Sequence, residues 1–159
     1  MSECQSDYLS AALSFPNTVA DTVIEILNNN KIDFDGIAFS GFSGSLIAPL
    51  VAAKMNKSLL LIRKESDKSH SFRRIEGSLD VKRVVIIDDL IVEGKTIDFI
   101  VNTLKHSDFW AGAECVSIVL YNSYRGDSEW FIPGKELERK SVKLFNFRIN
   151  LFSGTVERG

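Results

Sequence analysis

The sequence predicts an α/β fold, a parallel sheet flanked by helices. Short apolar runs, typical of buried strands, alternate along the chain with amphipathic helical segments. The strand-like runs are apolar throughout rather than alternating, as expected for strands covered on both faces. With 159 residues, the chain is long enough to bury one core, so we predict a single domain over residues 1–159 with its core at about 17–121.

The first elements follow from hydrophobic spacing. Apolar residues recur at helical intervals through NTVADTVIEILNNN, which predicts a helix from Asn17 with Asn17 or Thr18 as its cap. The run GIAFS at residues 36–40 predicts a buried strand, and GFSG follows it as a turn. A second helix is predicted over SLIAPLVAAKM at residues 45–55, with Pro49 about one turn in, where a missing N–H is best tolerated.

The later elements continue the alternation. They are, in order, a strand at SLLLIR (58–63), a long polar loop at KESDKSHSFRRIEGS (64–78), a strand at RVVIID (83–88), a helix at KTIDFIVNTLKHS (95–107), a strand at CVSIVLY (115–121) and a last strand at VKLFNFRI (142–149). Between the last two strands the pattern weakens, and we predict loops or a flap there.

Composition excludes several classes of protein. The chain is 45% hydrophobic and 25% charged with a formal net charge of −2, so no global basic field indicates a nucleic-acid partner. Its two cysteines, Cys4 and Cys115, indicate neither a disulfide framework nor a zinc site. The N-terminus has no signal-peptide pattern, and no apolar run is long enough to span a bilayer. We therefore expect a cytoplasmic protein without a membrane partner.

Loops at the carboxyl ends of the strands predict where a ligand binds. In an open parallel sheet, ligands occupy the crevice outside these ends. The three loops are Ser40–Ser45, Lys64–Ser78 and Asp88–Thr96. We expect them to converge on one site.

The stretch VVIIDDLIVEGKT, residues 84–96, carries the clearest chemical signal. Asp88 and Asp89 end a hydrophobic strand, and the loop behind them leads into a helix. This is not a Walker A loop, because Asp89 stands at the position of the first glycine. The segment SGFSGS likewise lacks the glycine spacing of a dinucleotide fingerprint. One alternative is that an aspartate here only caps the next helix.

A sugar phosphate matches the chemistry of this stretch. The backbone N–H groups of residues 92–96 converge at a helix N-terminus, whose partial positive charge favours a phosphate. Gly94 lets an anion approach the backbone, and Thr96 can donate its hydroxyl. Two carboxylates nearby would accept hydrogen bonds from vicinal hydroxyls, so the pattern predicts a ribose 5-phosphate.

The same stretch resembles the phosphoribosyl diphosphate (PRPP) motif of the type I phosphoribosyltransferases. SGFSGSLIAPLVAAKM is similar to the family's pyrophosphate loop and the helix after it, and LLLIRKESDKSH to its basic strand end and mobile catalytic loop. IEGSL, before the motif strand, is most similar to the orotate branch. The resemblance covers roughly Gly36 to Tyr121 and implies the family's fold, with a small hood from the terminal segments at about 1–16 and 122–159.

The resemblance also implies roles for particular residues. Asp88 and Asp89 would bind the ribose 2- and 3-hydroxyls, directly or through Mg²⁺. The implied PRPP-binding residues are Gly41, Gly44, Ser45, Arg63, Asp88, Asp89, Val92, Glu93, Gly94, Lys95 and Thr96. The implied catalytic residues are Lys64, Lys68 and His70.

As a family member, the chain would be a pentosyltransferase dependent on PRPP and Mg²⁺. It would transfer a 5-phosphoribosyl group to a nucleobase or related nitrogen heterocycle and release pyrophosphate, as a homodimer in purine or pyrimidine salvage. Glu93 stands where the family usually has threonine, which favours an alternative: a non-catalytic regulator that senses PRPP or a nucleotide on the same fold. The candidates for stacking on a base in the hood are Tyr8, Phe15, Tyr124, Trp130 and Phe131.

Overall fold

The computed structural model describes residues 9–64, 73–78, 80–91, 93–106, 113–123, 125–133 and 139–159. The helices are α1 (Ser10–Ser14), α2 (Pro16–Asn29), α3 (Gly41–Met55) and α4 (Lys95–His106). The strands are β1 (Gly36–Phe39), β2 (Ser58–Ile62), β3 (Ile75–Gly77), β4 (Arg83–Asp88), β5 (Glu114–Leu120), β6 (Ser128–Pro133), β7 (Arg139–Asn146), β8 (Arg148–Ile149) and β9 (Val156–Glu157).

Seven of these strands form one mostly parallel sheet. Its order is β3-β2-β1-β4-β5-β7-β6, and β8 and β9 form a separate hairpin. The five central strands pair in parallel, while β3 and β6 pair antiparallel at the two edges. The predicted fold class, a parallel sheet flanked by helices, is confirmed.

The sheet separates two apolar layers. Helices α1, α2 and α3 pack on one face, against Ile37 and Phe39 of β1 and against alternate residues of β4. Helix α4 packs on the other face, against Ala38 and against the intervening residues of β4. Because successive side chains of a strand point to opposite faces, both layers need apolar residues, which explains the continuous apolar runs in the sequence.

Two predicted helix starts are wrong. Helix α2 begins at Pro16, and no side chain caps it, so neither Asn17 nor Thr18 is the N-cap. Proline suits the first helical position because its fixed φ is already helical and its missing N–H would have no partner there. Helix α3 begins at Gly41 rather than residue 45, which places Pro49 in the helix interior instead of about one turn in.

The structure adds two edge strands that the sequence did not predict. Strand β3 lies inside the predicted polar loop and pairs with β2, and β6 pairs with β7. The predicted last strand at 142–149 is divided at Phe147 into β7 and β8. The main sheet therefore continues past Tyr121, and part of the segment predicted as hood belongs to the sheet.

No helix in the described part of the chain is both long and apolar enough to cross a lipid bilayer.

Helix α3 approaches the sheet closely at Gly44. A Cβ built on this residue would lie 2.8 Å from Phe39 Cβ and 3.3 Å from the carbonyl oxygen of Ile87. Neither atom can rotate away, because one is the first atom of a side chain and the other belongs to the backbone. The start of α3 thus depends on a residue without a side chain.

We predict that Gly44→Ala lowers the free energy of unfolding by about 1–3 kcal/mol, because α3 must move away from β1 and β4. Urea unfolding followed by circular dichroism measures the change. The matched control is Ser45→Ala, because Ser45 is exposed and its hydroxyl only donates to the Phe42 carbonyl. Equal unfolding midpoints for Gly44→Ala and the unmodified protein would contradict this packing.

Candidate functional site

Described residues from each of the three predicted loops line one cavity, as expected for the carboxyl ends of parallel strands, although the second loop contributes Lys64 alone among its described residues. The cavity has a volume of about 870 Å³, within the range usual for small-molecule sites. The described residues that line it are Leu9, Ser40, Gly41, Phe42, Ser43, Lys64, Asp88, Asp89, Leu90, Ile91, Glu93, Gly94, Lys95, Thr96 and Ile97.

The acidic pair lies at the centre of this site. Asp88 is the last residue of β4 and Asp89 follows it, and the two residues are only 5% and 7% exposed. Their backbone carbonyls accept hydrogen bonds from the N–H groups of Tyr121 and Asn122, so β5 fixes the strand end. On the Asp88 side chain, Oδ1 accepts a hydrogen bond of 2.8 Å from the Ser43 hydroxyl and one of 2.9 Å from the Asp89 N–H.

Burial changes the acidity of Asp88. Loss of solvent raises the pKa of this carboxyl from 3.8 to about 6, because the charged form loses its hydration. The Ser43 hydrogen bond lowers the pKa again in part, and the neighbouring Asp89 side chain raises it. Asp88 therefore binds a proton more readily than an ordinary surface carboxylate, and its charged form would be stabilised by a nearby cation.

The expected phosphate loop borders the cavity on one side. Gly94 has a φ of +75°, in the left-handed region that glycine adopts without strain, and α4 begins at Lys95. The first turn of α4 aims backbone N–H groups at the cavity and adds partial positive charge. Val92, which the sequence placed in this loop, lies outside the described residues.

Glu93 forms an ion pair with Lys95, and both side chains are largely exposed, at 62% and 84%. The carboxylate that stands in place of the family's usual threonine is therefore paired with a cation and largely exposed to solvent. Its remaining repulsion of a bound phosphate is weak, because solvent screens exposed charges strongly.

A second helix N-terminus borders the cavity on the pyrophosphate side. Ser40 is the N-cap of α3, yet its side chain does not cap the helix, and its buried hydroxyl has no partner within the described structure. The Lys64 Nζ lies over Gly41, 3.5 Å from where a Cβ of that residue would be. Free N–H groups, an unpaired hydroxyl and a lysine together favour an anion at this position.

Three residues predicted to bind PRPP are not among the described residues that line the cavity. Gly44 is buried against the sheet, and the Ser45 hydroxyl donates to the Phe42 carbonyl. Arg63 extends toward β3 instead, where its Nη1 donates to Glu76 over 2.7 Å. Two predicted catalytic residues, Lys68 and His70, lie outside the described residues.

Those of the predicted aromatic residues that the structure describes do not line the cavity. Phe15 packs against the apolar core, Phe131 is exposed, and Trp130 lies against Gly94. Tyr8 and Tyr124 lie outside the described residues. Leu9 and Phe42 line the cavity instead.

Sequence reasoning missed Ser43, which contacts the acidic pair directly. Ser43 lies in the predicted loop Ser40–Ser45, but no local signal indicated its hydrogen bond to Asp88, which is 45 positions away in the sequence. Its contact exists only because α3 starts at Gly41, and the Tyr121 hydroxyl stabilises that start by donating to the Ser43 carbonyl over 2.7 Å.

Comparison with known sequences gives two relatives. No protein-family model matches the chain. A protein of Methanocaldococcus jannaschii, named transcriptional regulator GfcR, is 31% identical over 94 residues, and one of Thermoplasma acidophilum with the same name is 34% identical over 93 residues. Each match covers 55% of this chain. The chain spans less than half the length of these relatives, 44% of the first and 45% of the second.

Comparison with solved structures identifies the fold. UMP synthase of Leishmania donovani is 31% identical with a TM-score of 0.53, over 69% of this chain and 23% of that one. Orotate phosphoribosyltransferase of Francisella tularensis is 19% identical with a TM-score of 0.53, over 78% and 56%. Adenine phosphoribosyltransferase of Thermoanaerobacter pseudethanolicus is 20% identical with a TM-score of 0.54, over 69% and 70%. The chain has the type I phosphoribosyltransferase fold. The predicted resemblance to this family is confirmed, with orotate phosphoribosyltransferases among the matching structures.

The main functional prediction, a phosphoribosyltransferase that modifies a nucleobase, is wrong. Both sequence relatives are named transcriptional regulators, and the alternative prediction, a regulator on the phosphoribosyltransferase fold, agrees better with them. The physical reason for the error is that a motif that predicts recognition of a ligand does not by itself distinguish binding from turnover.

We predict that Asp88 makes the stability of the ligand-free protein depend on pH. Folding raises its pKa from 3.8 to about 6, so the folded chain holds a proton that the unfolded chain has lost between these values. The contribution of Asp88 to the free energy of unfolding should therefore be largest below the lower value and fall by up to about 3 kcal/mol as the pH rises through the upper one.

The test measures the free energy of unfolding in urea at several pH values, in the presence of a metal chelator. Asp88→Asn should remove the fall and stabilise the protein at pH 7, because an asparagine Oδ1 still accepts both hydrogen bonds without a buried charge. Asp80→Asn, at an exposed position, serves as the control and should keep the fall. A fall of unchanged size in Asp88→Asn would assign it to another group.

Proposed function

We propose that this chain is the ligand-sensing part of a transcriptional regulator and binds PRPP or a nucleotide without turning it over. The observation that carries the regulatory role is the name shared by both sequence relatives. The proposal assigns only ligand sensing to these residues, since a net charge of −2 provides no general attraction for DNA phosphates.

The ligand class follows from the arrangement of charges in the cavity. The starts of α3 and α4 both border it, and the buried pair Asp88 and Asp89 lies in the same cavity. Each helix start favours an anionic group, and carboxylates accept hydrogen bonds from vicinal hydroxyls. A molecule with a phosphate, a sugar diol and a second polar or anionic group satisfies all three positions, which supports a 5-phosphoribosyl ligand.

The acidic pair also suits a magnesium ion. The lining contains two lysines and three acidic residues, so a ligand with several negative charges needs a further cation. Carboxylate oxygens are the donors that Mg²⁺ prefers, and it usually keeps water and phosphate oxygens as its other ligands. The described residues contain no group of three or more acidic, histidine or cysteine side chains suited to a metal, so Asp88 and Asp89 would hold Mg²⁺ together with the ligand.

Two of the basic residues that the structure describes near the cavity are held by acidic partners, which fits binding without turnover. Transfer of a phosphoribosyl group requires positive charge that stabilises the departing pyrophosphate. Arg63, predicted for that role, forms an ion pair with Glu76, and Lys64 is the lysine beside the start of α3. Lys95 is paired with Glu93.

The formation of a homodimer remains a prediction.

We predict that PRPP and ribose 5-phosphate bind with Mg²⁺ and that no base causes release of pyrophosphate. Isothermal titration calorimetry measures binding, and a coupled pyrophosphate assay with adenine, hypoxanthine, orotate and uracil measures turnover. Asp88→Asn combined with Asp89→Asn should weaken binding by about 100-fold, because two charge-assisted contacts to the sugar or its metal are lost.

The control is a double variant that changes the net charge by the same amount as the Asp88 and Asp89 substitutions, but at positions away from the cavity. It combines Asp33→Asn with Asp80→Asn, both at exposed positions, and should bind like the unmodified protein. Steady release of pyrophosphate with any base would overturn the non-catalytic role. Absence of binding for every phosphoribosyl compound would overturn the ligand class.

A further inference from the structure

The indole ring of Trp130 lies directly against the backbone of Gly94, at the start of α4. A Cβ built on Gly94 would be 2.5 Å from Trp130 Cη2 and 2.7 Å from Cζ2. Both atoms belong to the six-membered part of the indole, so this part of the ring occupies the space beside the loop. Trp130 belongs to β6, which is an edge strand of the sheet.

Stability alone does not explain a tryptophan at this position. The Trp130 Nε1 is buried and has no hydrogen-bond partner within the described structure. A buried donor without an acceptor is unfavourable, and a phenylalanine would fill the apolar part of the site without one. Phenylalanine, however, is too short to place a ring where Cη2 and Cζ2 contact Gly94.

The loop needs a fixed conformation to bind a phosphate. Gly94 has a φ of +75°, and a glycine leaves several other conformations open to the chain. A ligand binds only the fraction of molecules whose loop is in the competent conformation, so restricting the loop raises the affinity directly. The indole occupies the space beside Gly94 and so restricts the conformations that are open to the loop.

We propose that Trp130 is a positioning residue for the ligand's phosphate. It holds Gly94 and the first turn of α4 in the conformation that aims backbone N–H groups at the cavity. The assignment of a sugar phosphate to this loop rests on the proposed function, whereas the ordering of the loop by the indole does not.

The test uses Trp130→Phe, which keeps an aromatic ring on β6 but removes the atoms that contact Gly94. We expect ribose 5-phosphate to bind about tenfold more weakly, while pyrophosphate, an anion suited to the start of α3, binds unchanged. The melting temperature should stay equal or rise, because the unpaired donor is removed. A residue with only a structural role would instead lower stability and weaken both ligands alike.

The matched control is Phe131→Leu on the same strand. Phe131 is 59% exposed and is not among the described residues that line the cavity. Hydrogen exchange without ligand provides a second readout: amides 94–98 should exchange faster in Trp130→Phe and remain unchanged in the control. Equal losses for both ligands, or unchanged exchange at 94–98, would overturn the proposal. If the unmodified protein binds no sugar phosphate, the proposed function fails, and exchange alone decides whether Trp130 orders the loop.

Discussion

The rest of the site depends on two carboxylates buried at the end of an apolar strand. Asp88 ends the central strand β4 and Asp89 follows it, and burial raises the pKa of Asp88 to about 6. This arrangement is unfavourable for the empty protein, because the charges lose hydration and repel each other. The neighbouring elements reduce the penalty in part, through the Ser43 hydroxyl and the Asp89 N–H. A bound cation or sugar diol would offset the remainder, so the buried pair links folding energetics to ligand binding.

Two helix starts complete the site, and each is held in place by packing outside the cavity. Gly44 lets α3 approach the sheet, which places Ser43 against Asp88 and leaves the Ser40 hydroxyl buried without a partner. On the other side, Trp130 packs on Gly94 ahead of α4. The scaffold would therefore order both proposed anion-binding positions before a ligand arrives. Such preorganisation serves sensing as well as catalysis, which is why the phosphoribosyltransferase fold is compatible with relatives named as regulators.

Hydrophobic periodicity predicts the interior of this protein well and its edges poorly. The strands β1, β2, β4 and β5 follow directly from apolar runs that both faces of the sheet require. Strands β3 and β6 were not predicted. An edge strand is stabilised by pairing with a neighbouring strand, and the residues of the edge strand do not show which neighbour that is. The acidic motif predicted the cavity, but Ser43 reaches Asp88 across 45 positions of sequence. Likewise, no local signal in the sequence indicates the ion pair that Arg63 forms with Glu76.

The most direct test of a sugar-phosphate sensor on this fold is a crystal structure of the protein with ribose 5-phosphate and Mg²⁺. The account predicts the phosphate at residues 93–96 and the ribose hydroxyls at Asp88 and Asp89, directly or through the metal. It also predicts that the Trp130 ring remains against Gly94. A sugar phosphate bound outside this cavity would contradict the account. A sugar phosphate bound in the opposite orientation, with its phosphate at the start of α3, would also contradict it.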